Sequence, residues 1–403
     1  MPGSHLFNLG LFQKNFNSTS RVSGAAINMG CTRGRGSTTR MFNYCTKTSP
    51  NPSLCINQFI TINNTNQTAI PYPDWSALGT GTNATVNTIA IDSNNNVYVG
   101  GNFTTAGSVN PADYIAKWDG TSWSSLGTGL DDVVNTIAID SNNNVYAGGF
   151  FSGADGNPAS RIAKWDGTNW SPLGTGVDST GPIHSIAIDS NNDVYIGGAF
   201  TTAGGNPADY IAKWDGTSWS PLGTGADSTV HTIAIDSNND VYIGGAFTTA
   251  GGNPADRIAK WDGTSWSPLG TGTNSTVYSI AIQSNNNIYV GGAFTTAGGN
   301  PASRIAKWDG TSWSALGTGA NNIVNTITID SNNVYAGGDF TTAGSVNPAN
   351  YIAKWDGTSW SSLGNGTNST VYSIAILSNN VYAGGDFTTA GGNTSNYIAK
   401  WGV

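Results

Sequence analysis

The chain has 403 residues, of which 10% are charged, and a net charge of −8 at pH 7. Ordinary globular chains carry about 25% charged residues. Every acidic residue here is Asp, which suits turns better than helix interiors. No run of 18 apolar residues occurs, so the sequence predicts no membrane span. The composition therefore favours short strands joined by tight turns.

Residues 1–73 form a basic arm whose composition differs from the rest of the chain. The arm carries a charge of +6 and no acid, which leaves −14 for the remainder. Its polar composition predicts little core of its own beyond one strand at residues 59–62. Arg33, Arg35 and Arg40 are candidate interface residues, and a solvated tail is the alternative interpretation. The first residues lack a basic stretch and a long apolar core, so no secretion signal is predicted.

All three cysteines, Cys31, Cys45 and Cys55, lie in this arm. Three is an odd number, so at most one internal disulfide forms and one thiol is left over. Buried free thiols are the favoured interpretation, and a disulfide that stabilises the arm is the alternative, with its pairing open. The spacing is not a zinc pattern, because His5 is the only imidazole nearby.

Residues 74–403 repeat one unit of about 47 residues. Each unit contains four short apolar runs, which we name strand a (T-I-A-I-D), b (V-Y-x-G-G), c (I-A-K-W) and d (W-S-x-L). The Asp-Gly between c and d predicts a two-residue hairpin turn. Four strands in about 47 residues is the size of a propeller blade. The W-S-x-L segments begin at Trp75, Trp123, Trp170, Trp219, Trp266, Trp313 and Trp360.

The two ends of the repeat region are complementary. The region starts on a strand d at residues 74–79 and stops on a strand c within residues 373–401. Pairing the two would complete a blade and remove two open sheet edges. The sequence therefore predicts an all-β fold, a seven-bladed β-propeller of four-stranded blades with a hybrid closing blade, behind an irregular N-terminal arm.

Two segments carry a family resemblance. N-Y-I-A-K-W-D-G-T-S-W-S-S-L-G and I-A-I-D-S-N-N-N-V-Y-V-G-G-N-F resemble the propeller repeats of uncharacterised bacterial and giant-virus proteins. The resemblance covers residues 75–403 and implies a propeller. It implies no activity, because propellers host many unrelated functions.

An Asp ends strand a in five repeats and opens the segment D-S-N-N. The pairs Asp189 with Asp193 and Asp236 with Asp240 are spaced like the start of a calcium loop. The Gly and the distal Glu of an EF-hand loop are missing, however. A turn in which Asp accepts hydrogen bonds from nearby N–H groups is favoured, and these four residues remain weak calcium candidates. No other metal site and no cofactor are predicted.

One position near the start of strand a varies among the repeats. It lies at the end of the channel where the d–a and b–c loops converge and where propeller ligands bind. Drift at a tolerant rim is the favoured interpretation of this variation, and a recognition surface, which needs varied hydrogen-bonding groups at equivalent positions, is the alternative. The residues are Asn87, Asn135, His184, His231, Tyr278, Asn325 and Tyr372.

The residue before I-A-K-W alternates between Tyr and Arg. Both are large planar groups that stack well between blades, which is the favoured interpretation. Arg is also a common interface anchor, which makes Arg161, Arg257 and Arg304 interface candidates.

Catalysis is not predicted, because the chain has no Glu, three His and no nucleophile signature. An acidic propeller would repel phosphate, so nucleic acid is not an expected ligand. The favoured interpretation is a structural or display protein on an extracellular, virion-like particle or filament. The arm would bind other copies or a particle core protein, and the propeller would be the interaction scaffold. A carbohydrate-binding propeller that recognises glycans is the alternative.

Overall fold

The computed structural model describes residues 73–402 and, before them, the backbone of three strands. The chain divides into two compact units, Met1–Tyr72 and Pro73–Val403. In the second unit the described residues form seven antiparallel four-stranded sheets, each in the order a-b-c-d. This confirms the predicted all-β, seven-bladed propeller.

The blades are numbered from the first complete strand a. Strands a are Val86–Ile91, Val134–Ile139, Ile183–Ile188, Val230–Ile235, Val277–Ile282, Val324–Asp330 and Val371–Leu377. Strands b are Val97–Gly101, Val145–Gly149, Val194–Gly198, Val241–Gly245, Ile288–Gly292, Asn333–Gly338 and Asn380–Gly385. Strands c are Ile115–Trp118, Ile162–Trp165, Ile211–Trp214, Ile258–Trp261, Ile305–Trp308, Ile352–Trp355 and Ile398–Gly402. Strands d are Trp123–Ser125, Trp170–Pro172, Trp219–Pro221, Trp266–Pro268, Trp313–Ala315, Trp360–Ser362 and, for blade 7, Asp74–Ala77.

Blade 7 joins the two ends of the repeat region. Strand Asp74–Ala77 pairs antiparallel with strand Ile398–Gly402, and Trp75 lies opposite Trp401. This confirms the hybrid closing blade, although the closing strand is shorter than the predicted 74–79. Each strand a packs against the strands a of both neighbouring blades, so the inner strands form a closed ring.

The tryptophans that begin the strands d form a second ring. Each indole Nε1 donates to the carbonyl oxygen of the Leu that follows strand d in the preceding blade. The bond from Trp75 to Leu363, at 2.8 Å, closes this ring across the two chain ends. The indole also packs against the Trp of strand c in its own blade, at 5.3 Å between Trp118 and Trp123. Packing between blades therefore explains the repeated tryptophans.

The glycine pair at the end of strand b permits close approach of neighbouring segments. A Cβ on Gly384 would lie 2.5 Å from Val86 Cγ1 of the next blade, which is closer than real Cβ atoms come. A Cβ on the second glycine, such as Gly101, would overlap the carbonyl oxygen of Thr85. The first glycine thus lets the neighbouring blade pack closely, and the second leaves room for the backbone of the d–a loop.

Three details differ from the sequence prediction. The c–d hairpin contains four loop residues rather than two, because Trp214 pairs with Trp219 and Asp215 Oδ1 accepts hydrogen bonds from the backbone of Thr217 and Ser218. Five b–c loops contain a short hairpin that we did not predict. These hairpins are Gly153–Ala154 with Asn157–Pro158, Thr202–Ala203 with Asn206–Pro207, Thr249–Ala250 with Asn253–Pro254, Thr296–Ala297 with Asn300–Pro301, and Thr389–Ala390 with Asn393–Thr394.

The arm contains three paired strands where one was predicted. Cys31–Gly34, Ser37–Cys45 and Cys55–Ile62 form an antiparallel sheet in chain order. The predicted strand at residues 59–62 is the end of the third. Pairing with a neighbouring strand lets polar sequences form strands that local apolar content does not reveal.

Candidate binding site

The variable position near the start of strand a is the extra residue of a β-bulge in every blade. In blade 1, Val86 pairs with Gly101 and Thr88 with Gly100, so Asn87 has no pairing partner between them. The same register shift occurs in the other six blades. A bulge re-aims a side chain, and bulges are frequent at the rims of barrels and next to active sites. The seven predicted residues are therefore half-buried at one structural position, at the end of the ring that we call the channel mouth.

One side chain in each d–a loop anchors that loop at the channel mouth. It accepts hydrogen bonds from two consecutive backbone N–H groups of the b–c loop, as Asp178 Oδ2 does from Thr201 and Thr202 at 3.0 and 2.7 Å. Burial opposes ionisation of Asp178, but hydrogen bonds from Thr180 and Thr201 hold the pKa of its carboxyl below the usual range. Sequence reasoning missed these anchors, although Asp or Asn recurs at one offset in the variable loops. They are Asn83, Asp131, Asp178, Asp227, Asn274, Asn321 and Asn368.

In three blades the bulge residue bonds to the residue that follows the glycine pair of the same blade. In blade 7 burial, together with the hydrogen bond to Asp386, raises the pKa of Tyr372 to about 12. The amide nitrogens of Asn87 and Asn325 and the hydroxyl of Tyr372 thus already donate hydrogen bonds within the blade. The pairs are Asn87 with Asn102 at 3.1 Å, Asn325 with Asp339 at 3.3 Å and Tyr372 with Asp386 at 2.9 Å.

Blades 3 to 5 differ, because Ala follows the glycine pair at positions 199, 246 and 293. The bulge residues His184, His231 and Tyr278 instead contact one another around the ring. The ring centroids of His184 and His231 are 5.0 Å apart, and those of His231 and Tyr278 are 5.2 Å apart. Burial lowers the pKa of His184, and burial together with the nearby His184 lowers the pKa of His231 to about 4. Both imidazoles are therefore uncharged at neutral pH.

Blade 2 presents an apolar group at the channel mouth. Its bulge residue Asn135 donates to the Ile183 carbonyl oxygen of the next blade at 3.0 Å. Phe150 follows the glycine pair and is 44% exposed, the one large hydrophobic side chain that is exposed within residues 73–402. The mouth is therefore asymmetric, with aromatic and imidazole rings on blades 2 to 5 and the carboxylates Asp339 and Asp386 on blades 6 and 7.

The alternating Tyr or Arg position has a left-handed backbone in all seven blades, with φ between 63° and 68°. Side chains other than Gly rarely adopt this conformation. Arg161 Nη1 donates to the Phe150 carbonyl oxygen at 2.9 Å, Arg257 Nη1 donates to that of Phe247 at 2.8 Å, and Arg304 donates to that of Ala293. The equivalent tyrosines pack against the core of the next blade, and they are Tyr114, Tyr210, Tyr351 and Tyr397.

The weak calcium candidates lie at the opposite end of the ring. Asp189 Oδ1 accepts hydrogen bonds from the N–H groups of residues 191 and 193, at 2.8 and 2.9 Å. Asp193 forms a 2.6 Å ion pair with Lys213, and Asp240 forms the same pair with Lys260. Asp236 repeats the turn of Asp189. Among the described residues no three His, Cys, Asp or Glu side chains are placed to hold one metal ion.

The same end contains a cavity of about 520 Å³ between blade 6 and the closing blade. Asp330, Tyr335, Lys354 and Trp401 are among its lining residues. It lies beside the a–b turns that are shortened in these two blades. None of the predicted binding residues lines it.

The predicted arm residues lie outside the described side chains. These are Arg33, Arg35, Arg40, Cys31, Cys45 and Cys55. The backbone register of the arm sheet does place Cys45 opposite Cys55, and Cys31 opposite Arg40.

A family model described as the Rax2 C-terminal beta propeller domain matches residues 60–234 and 220–380. The chain belongs to this family. No curated protein matches the sequence. Among the described residues, none forms a helix of the length and hydropathy that crossing a membrane requires.

Solved structures support the fold at low identity. The extracellular domain of a hybrid two-component system from B. thetaiotaomicron is 12% identical with a TM-score of 0.55, over 82% of this chain and 39% of that chain. The WD40 propeller of Doa1 is 15% identical with a TM-score of 0.53, over 82% and 96% of the two chains. YCF48 bound to D1 peptide is 14% identical with a TM-score of 0.52, over 83% and 96%. At these identities the likeness shows the propeller fold alone.

Proposed function

We propose that this protein is a non-catalytic interaction scaffold that binds a peptide segment of a partner protein at the channel mouth. The supporting observation is the ring of seven bulges. The residues that hold the blades together repeat, whereas the bulge residue changes from blade to blade. The bulge does not require a different residue in each blade, because Asn occupies it in three of the seven blades.

The composition of the mouth favours a peptide. Phe150 offers an exposed aromatic surface on blade 2, and Asp339 and Asp386 offer carboxylates on blades 6 and 7. Aromatic anchors beside charged groups are typical of peptide recognition. The similar propeller YCF48 was solved with a peptide bound.

A peptide library displayed on phage tests this proposal. We expect selection on the full-length protein to enrich peptides that bind several-fold more weakly to a variant with His184→Asn, His231→Asn and Tyr278→Asn. Asn is compatible with a bulge, because Asn87 and Asn135 occupy it in blades 1 and 2. Asn191→Ser, at the opposite end, is the matched control and should bind normally. Equal binding by the triple variant, or no enrichment, would refute the proposal.

The arm is proposed to mediate assembly on an extracellular particle or filament, either with other copies or with a core protein. The charges of +6 on the arm and −14 on the remainder support attraction between copies. We expect the full-length protein to form oligomers and residues 73–403 to stay monomeric with unchanged circular dichroism. Light scattering on both would show this. An arm-deleted protein that still assembles would contradict the assembly role.

A carbohydrate ligand is the second candidate, and the exposed ring of Phe150 is the observation that favours it, since exposed aromatic rings suit sugar faces. A glycan array with the full-length protein separates the two candidates. Glycan binding that is lost in the Phe150→Ala variant would show that the ligand of the channel mouth is a sugar and not a peptide.

A further inference from the structure

We infer that His184 and His231 form a two-imidazole site at the channel mouth for a divalent transition-metal ion such as Cu²⁺, Zn²⁺ or Ni²⁺. The chain has three histidines, and two of them occupy equivalent bulges of adjacent blades. They are 47 residues apart in the chain, so blade packing alone brings them together. Imidazole suits these three metals. The metal site shares His184 and His231 with the proposed peptide site, but it does not depend on that proposal and would stand if no peptide bound.

The spacing of the rings suits shared coordination. Metal–imidazole nitrogen bonds are about 2.0–2.1 Å long, so two rings on one ion have centroids about 4–6 Å apart. The centroids of His184 and His231 are 5.0 Å apart, with an angle of 50° between the ring planes. This centroid distance therefore permits one nitrogen of each ring to bind the same ion after rotation of the side chains.

The imidazole nitrogens are available for a ligand. The residue after the glycine pair is Ala199 in blade 3 and Ala246 in blade 4, whereas blades 1, 6 and 7 have Asn or Asp there, bonded to the bulge side chain. Within residues 73–402 no side chain or carbonyl hydrogen-bonds to either imidazole. Neutral imidazole is the form that coordinates metal.

The coordination sphere is open on its remaining positions. Tyr278 lies next to His231, with ring centroids 5.2 Å apart, and adds a phenol group to the same arc of the mouth. No third His, Cys, Asp or Glu of the described chain joins the pair. Water or a group from a bound partner would therefore complete the sphere, as in sites that keep exchangeable positions.

Cu²⁺ titration of the full-length protein tests this site, because Cu²⁺ binds such ligands most tightly among the divalent metals. We expect one ion per chain at this site, with an electron paramagnetic resonance spectrum that shows coupling to two imidazole nitrogens. His184→Asn and His231→Asn should each weaken binding at least about tenfold, the loss that even supporting residues of metal sites cause. His5→Asn and a Cys31→Ser, Cys45→Ser, Cys55→Ser variant control for the arm.

A gain-of-binding variant keeps the test informative. Asn135→His would place a third imidazole in blade 2, beside His184, and should strengthen Cu²⁺ binding by about tenfold or more. Circular dichroism and the urea midpoint check that each variant is folded. Wild-type binding that survives in the His184→Asn, His231→Asn double variant, or a spectrum without two-nitrogen coupling, would overturn the inference.

Discussion

Replacing Trp75 by Ala tests how the propeller ring is closed. Trp75 is 3% exposed, and its indole donates to the Leu363 carbonyl oxygen at 2.8 Å. Its strand, Asp74–Ala77, is paired on one side only, with Ile398–Gly402. Unlike the other strands d, it is not joined to its neighbour in the sheet by a c–d turn. Packing of this indole should therefore contribute much of the free energy that holds the closing strand in place.

The expected loss of unfolding free energy is about 3–5 kcal/mol, the usual cost of a buried Trp→Ala change. Removing the donor to Leu363 contributes about 1 kcal/mol of this. Trp219 is the matched position, since it is 8% exposed and bonds to the Leu173 carbonyl oxygen at 2.9 Å. Trp219→Ala should have a similar energetic cost, but its strand stays tethered by a c–d turn.

Urea unfolding measures the energies, and hydrogen exchange locates the opening. Trp75→Ala should release protection in the amides of residues 398–402 under native conditions. Trp219→Ala should leave those amides protected. If Trp75→Ala costs less than about 1 kcal/mol, or exchange at 398–402 does not change, the closing strand does not hold the ring as we describe.

Three further predictions concern single sites. Ser395 is 1% exposed, and its hydroxyl has no hydrogen-bond partner in the described chain. The other six blades have Ala at the equivalent position. Ser395→Ala should therefore stabilise the protein by about 1–2 kcal/mol in urea unfolding. The pKa of His231 falls to about 4, below its unfolded value of about 6.5, so stability should drop by up to about 3 kcal/mol as the pH falls from 6.5 to 4. His231→Asn should lose that part of the pH dependence, and an unchanged profile would contradict the assignment. Cys45 and Cys55 oppose each other in the arm sheet, so peptide mapping after oxidation should find them linked and Cys31 free; a link through Cys31 would contradict that register.

Local patterns were sufficient for the architecture. Alternating short strands, the Gly pairs and the Asp-Gly turns predicted four strands per unit, because strand and turn preferences act over a few residues. The c–d turn is two residues longer than predicted, because the Asp side chain accepts hydrogen bonds from the backbone of the last two loop residues.

The candidate site was predicted only in part. Variation among repeats pointed to the seven bulge positions, but it did not indicate that each is a bulge or which of them have engaged polar atoms. The Asn325 side chain is hydrogen-bonded to Asp339, whereas no described residue is hydrogen-bonded to the His231 side chain. The difference depends on the residue that follows strand b, which is Asp339 in blade 6 and Ala246 in blade 4. The loop anchors such as Asp227 were missed for the same reason, because their partners are backbone groups about 20 residues away.

The sequence by itself determined that the chain is a closed seven-bladed ring. The repeat and the complementary strands at its ends leave one arrangement in which every sheet has four strands. Tertiary structure alone decided what meets at the channel mouth. His184 and His231 are neighbours because adjacent blades pack closely on glycines, where any larger side chain would separate them. Such contacts join separate repeats, and no pattern within one repeat encodes them.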